Sequence, residues 1–83
     1  MLERGNVIRS LAGRDKGKLL AVMSCEEGSV LVCDGKERPI DRPKSKNIRH
    51  VECVGLSVTE NDMRSNKALK KALRQFAELT ATT

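Results

Sequence analysis

Gly5-Asn6-Val7-Ile8-Arg9-Ser10-Leu11-Ala12-Gly13-Arg14-Asp15-Lys16-Gly17-Lys18-Leu19-Leu20-Ala21-Val22-Met23 is the stretch on which the fold turns. An apolar run carrying Val7, Ile8 and Leu11 stops at Gly-Arg-Asp-Lys-Gly, and a second apolar run starts after Lys18. Runs this short, punctuated by glycine, read as strands, and Gly13 and Gly17 permit the positive φ of a tight loop. The expectation is a strand over 6–12, a loop over 13–17 and a strand over 18–25.

Outward from there the β pattern continues. Residues 18–25 and 29–33 are apolar runs joined across Glu26-Glu27-Gly28, a connection of hairpin length, so they should pair antiparallel. Asp34-Gly35 is a second hairpin signal; it predicts a short strand over 36–40 before Pro39 and Pro43 limit pairing, with a last strand over 48–54. From about residue 65 the period changes. Leu69, Ala72, Leu73, Phe76 and Leu79 recur every three or four residues, predicting an amphipathic helix capped by Ser65 or Asn66. Residues 59–64 read as a linker or irregular first turn, and 80–83 as a frayed tail.

The chain has 83 residues, 39% of them apolar, with one Phe and no Trp or Tyr, so it can fill one small core of Val, Leu, Ile, Ala and Met. About five short strands in that length suit a small SH3-like barrel, mostly β, with a C-terminal α-helix packed on it. The expected division is a barrel over 1–58 and a linker plus helix over 59–83, one domain overall. At ~0.05–0.15 kcal/mol per residue its stability should be on the order of 4–12 kcal/mol.

A formal charge of +5 biases encounters toward polyanions, nucleic acid first. No apolar run of signal or membrane-spanning length is present, which points to a cytoplasmic protein without a membrane partner. Cys25, Cys33 and Cys53 make an odd number, expected as reduced thiols, at least two of them buried.

Stretch 5–18, with the apolar run to Met23, resembles the KOW motif: a strand, a Gly-centred loop with small and basic residues, and a second apolar strand. The whole chain, with its Asp34-Gly35 turn, basic segment and terminal helix, is similar to small bacterial KOW proteins resembling eukaryotic-type large-subunit ribosomal proteins six, fourteen and twenty-seven. That resemblance implies a monomeric protein docked on structured RNA, large-subunit ribosomal RNA above all, with ribosomal proteins as neighbours. It also implies RNA contacts by Arg9, Ser10 and the 13–17 loop.

Physical chemistry gives that loop the same role. Gly13 and Gly17 would bare backbone N–H groups, and Arg14, Lys16 and Lys18 would bring cations within phosphate reach. A competing reading makes it only a β-turn, with an Asx-type bond from Asp15 and cations in water. The most basic stretch, 36–50, holds Lys36, Arg38, Arg42, Lys44, Lys46 and Arg49 against Glu37 and Asp41. Its prolines make it an extended loop of the kind that lies along phosphates, with Lys44 and Lys46 exposed; its alternative is a solvated loop that maintains solubility. On the helix, Lys67, Lys70, Lys71 and Arg74 read first as an ordinary solvated face.

Catalysis and cofactors find no support. Cys33 should lie opposite Ala21, leaving Cys25 about 13 Å along the neighbouring strand, too far to share a metal. His50 and Cys53, three apart, would point to opposite faces of a regular strand, which also argues against a Cys–His nucleophile. No Walker-type or Gly-x-Gly-x-x-Gly loop occurs. With Phe76 the sole aromatic, base stacking is not available, and recognition by shape and backbone remains. The competing functional class is a protein-interaction module of the transcription or translation machinery.

Overall fold

The computed structural model describes residues 2–81. Five antiparallel strands form one sheet: β1 Asn6–Ser10, β2 Leu19–Glu26, β3 Ser29–Cys33, β4 Lys44–Asn47 and β5 Val51–Ser57, in the order β4-β3-β2-β1-β5. A 3-10 turn, Ile48–His50, links β4 to β5; another, Asp62–Arg64, precedes helix α1, Asn66–Ala81.

β1, β2 and β3 form where the β-branched runs are. Val7 pairs with Ala21 and Ala21 with Cys33; the β2–β3 turn is tighter than expected, with Glu26 opposite Ser29, and a bulge between Val22 and Ser24 restores the Ala21–Cys33 pairing. This row faces α1, together with Val58, Met63, Leu69, Ala72 and Leu73. The alternating row, Ile8, Leu20, Val22, Val30 and Val32, forms a second cluster on the other face, with Leu2 and Val51 packed against it. β1 and β2 are thus buried on both faces, as central strands of a continuous apolar run should be. α1 starts at its serine: Ser65 Oγ accepts from the Ala68 N–H at 3.1 Å, the N-cap bond. Asn66 instead uses its Oδ1 to accept from the Ile40 N–H at 2.8 Å, which ties the long loop to the helix. Leu69, Ala72 and Leu73 are buried and Phe76 half-buried, as the stripe required, but Leu79, its last member, is 62% exposed near the end of the helix.

Several expected elements shift. No strand forms over 36–40. Asp34 Oδ1 accepts from the N–H groups of both Lys36 and Arg38, folding 34–38 into a compact loop instead of a two-residue hairpin. The fourth strand lies further on, at Lys44–Asn47 in the segment read as extended loop, where Ser29 pairs with Asn47 and Val32 with Lys44. Residues 48–50 turn before β5, because Asn47 Oδ1 takes the Arg49 N–H at 2.8 Å. That turn also takes His50 out of the strand in which it was expected. β1 ends at Ser10, leaving Leu11 45% exposed. Of the cysteines only Cys33 is buried, not two of three. Cys53 lies on the edge strand β5 and Cys25 at the outer end of the β2–β3 hairpin. Thr80 and Ala81 continue the helix rather than fraying; the rest of the expected tail, 82–83, lies outside the described residues.

Candidate nucleic-acid interface

The 13–17 loop is closed by its own backbone. Lys16 N–H donates to the Gly13 carbonyl, Gly17 N–H to the Ser10 carbonyl and Lys18 N–H to the Asp15 carbonyl, at 3.2, 2.7 and 2.9 Å. Gly13 and Gly17 sit at φ +78° and +86°, the left-handed region that a residue with a Cβ resists. Two of the loop's own amides, those of Lys16 and Gly17, are therefore used inside it rather than facing a ligand. What it presents outward is side chains: Arg14 and Lys16 are both exposed and make no ion pair among the described residues.

Between them Asp15 turns inward, its side chain 1% exposed. Its Oδ2 accepts from Arg38 Nε at 3.3 Å and Nη2 at 3.2 Å, and lies 3.7 Å from Lys46 Nζ. Asp15 Oδ1 makes no hydrogen bond within the described chain, so the two cations on Oδ2 carry the compensation for burying the charge. Lys46 Nζ also donates to the Ala12 carbonyl at 3.4 Å. Burial of an aspartate here is what fastens the glycine loop to the basic segment, and the Asx-type bond that the competing β-turn reading gave Asp15 is not made.

This geometry divides the cations singled out in the sequence. Lys46, expected at the surface, is 9% exposed and internal, because it reaches back from β4 to a buried carboxylate. Arg38 is likewise engaged, though a quarter exposed. Ser10 is buried, its hydroxyl donating to the Ala12 carbonyl, so it closes the loop's base and offers nothing outward. Arg9 pairs with Glu52 at 3.1 Å and Lys18 with Glu37 at 3.3 Å, both at the surface, where such pairs are worth ~0–1 kcal/mol and exchange readily. Arg14, Lys16, Lys36, Arg42, Lys44 and Arg49 are exposed and without an ion-pair partner among the described residues.

Sequence reasoning ranked the helix cations low. Lys70 and Arg74 line a groove with Lys36, Lys18 and Gly17, next to the glycine loop. The signal that could have found them is the absence of acidic residues between Lys67 and Gln75. Burial, aided by the Asp34 carboxylate, pushes the Cys33 thiol up to about 11. Glu60, held by Arg4 at 2.9 Å, titrates below the usual carboxylate range.

Among the described residues no group of three or more His, Cys, Asp or Glu could hold a metal ion, and no helix is long and apolar enough to cross a membrane. In comparisons with known proteins, no family model and no curated sequence matches the chain.

Proposed function

We propose that this chain is an RNA-binding module of the KOW type that docks on folded RNA, ribosomal RNA of the large subunit first, and catalyses no reaction. The observation that carries the reading is the 13–17 loop: two left-handed glycines bracket exposed Arg14 and Lys16, and buried Asp15 locks the loop to the basic segment. A preorganised cationic loop loses little entropy on meeting phosphates, and its counterion release favours a polyanion. Exposed Arg42, Lys44 and Arg49 extend the same charge beyond it.

The SH3-like barrel is part of the proposal. The sheet is not closed, since β4 and β5 are its unpaired edges, and what supports a barrel-like curl is that Ile8, Leu20, Val22, Val30 and Val32 are 0–1% exposed on the face opposite α1. A cytoplasmic, monomeric protein with ribosomal proteins as neighbours follows from the KOW resemblance and the basic charge.

Sedimentation of the tagged protein from a lysate, at low and high salt and with or without nuclease, tests this reading. Co-migration with large-subunit particles, lost on nuclease or high salt, is the expected result. A complex that survives both would favour the protein-interaction alternative.

A further inference from the structure

The 34–38 loop meets α1 at unusually close range. Gly35 is at φ +79°, and a Cβ there would overlap the Asn66 carbonyl and sit 3.1 Å from the Lys70 N–H. That approach lays Lys36 beside the helix, forming a groove of about 410 Å³ lined by the cations Lys36, Lys70 and Arg74, by the apolar Leu19, Leu73 and Ala77, and by a single carboxylate, Asp34. Lys70 and Arg74 also line the adjoining groove with Lys67 and Lys71. None of these five cations has an ion-pair partner among the described residues.

This arrangement opposes the stability of the free domain. Lys67, Lys70, Lys71 and Arg74 span about two turns of α1, where like charges at i and i+4, such as Lys67–Lys71 and Lys70–Arg74, repel. Lys67 also lies in the first turn of the helix, which holds no acidic residue, while the last turn holds no basic one, the reverse of what the helix dipole favours. A solvated face chosen for solubility would intersperse both signs.

We infer that the groove between α1 and the 34–38 loop is a second RNA-backbone site, receiving a phosphate run continuous with the one met by the glycine loop. Gly17 and Lys18 belong to both surfaces, which makes one track from Arg14 and Lys16 across to Arg74. The apolar lining suits ribose, and Lys36, Lys70 and Arg74 outnumber Asp34 to supply phosphate contacts. This inference rests on the RNA-binding reading and commits to RNA rather than to an acidic protein segment.

The test uses the full chain, an A-form RNA hairpin of about twenty base pairs, long enough to span both surfaces, and poly-L-glutamate as the acidic-protein probe, each titrated over a range of salt. Lys36→Gln/Lys70→Gln/Arg74→Gln should weaken hairpin binding about 10- to 100-fold and flatten the salt slope by about 2–3 units. Its free form should melt about 3 °C or more higher at low salt, a gain that salt erases. Lys36→Arg/Lys70→Arg/Arg74→Lys should bind as wild type; equal loss there would assign the effect to packing and overturn the inference. Wild-type affinity and slope in the Gln variant, with loss in Arg14→Gln/Lys16→Gln, would sink the groove alone. Unchanged binding in both variants would sink the RNA reading and the groove with it. Tighter, groove-dependent binding of poly-L-glutamate than of the hairpin would replace RNA by an acidic protein partner.

Discussion

Asp15→Ala removes the carboxylate on which the 13–17 loop and β4 converge. In the native domain that side chain is 1% exposed and Lys46 9%, against 25% for Arg38. Removing one member of a buried ion pair costs about 3–5 kcal/mol, because the partner's charge stays desolvated without compensation. Arg38 is exposed enough to swing into water and recover part of that, whereas Lys46 would have to drag β4 outward. A loss of about 2–4 kcal/mol follows, a large share of the ~4–12 kcal/mol available to a domain of this size. At about 4–8 °C per kcal/mol for a domain of this length, the melt should fall by about 8–32 °C. Urea unfolding followed by circular dichroism measures it, with the slope m checked for constancy. A second variant isolates the cause: Lys46→Met in the Asp15→Ala background should restore stability, since it removes the orphaned cation and keeps an apolar stem. If Asp15→Ala shifts stability by less than about 0.5 kcal/mol, or Lys46→Met deepens the loss in that background, Asp15 is not the tie between loop and segment.

Lys44 and Lys46 are two residues apart and differ sharply in consequence: Lys44→Ala should leave the urea midpoint unchanged, while Lys46→Ala costs about 1–3 kcal/mol. Equal effects in the two urea curves would contradict the burial of Lys46. Gly17→Ala, whose Cβ would meet nothing within 4 Å, should cost only the positive-φ strain of about 1 kcal/mol. Gly35→Ala, whose Cβ would overlap backbone of α1, should cost at least about 3 kcal/mol by the same denaturation assay; similar values would mean the loop can retreat from the helix. Cys33 keeps its proton to about 11 in the folded state, against 9.0 for an ordinary thiol, so the folded form binds the proton more tightly than the unfolded one. Its stabilisation is therefore complete below pH 9.0 and is lost as pH rises toward about 11. Thermal melts across that window should fall more steeply for wild type than for Cys33→Ala. In a thiol titration at neutral pH, exposed Cys25 and Cys53 should react quickly and Cys33 only on unfolding, and rapid modification of all three would refute its burial.

Local chemistry made much of this chain legible. Val7, Ile8 and the Leu19–Val22 run announce β1 and β2 because β-branched and apolar residues between glycines have few other uses. The antiparallel β2–β3 hairpin follows from the short glycine-bearing connection, but its register does not: Glu26 pairs with Ser29, and only a bulge between Val22 and Ser24 brings Ala21 opposite Cys33. The helix stripe and its serine cap follow from spacing alone. Lys-Ser-Lys-Asn, by contrast, carries no β signal, and β4 exists because β3 offers it an unpaired edge after the turn-bound loop has brought it there. Asp34-Gly35 looks like a hairpin turn locally, yet its glycine serves a close approach to a helix that starts over thirty residues later. The cations show the division best. In the sequence Lys44, Lys46 and Arg38 are equivalent members of one basic stretch, since charge and spacing carry no record of distant partners. Which of them faces water and which a buried carboxylate was decided by the fold bringing Asp15 beneath two of them, a contact across 23 residues for Arg38 that only tertiary packing could select.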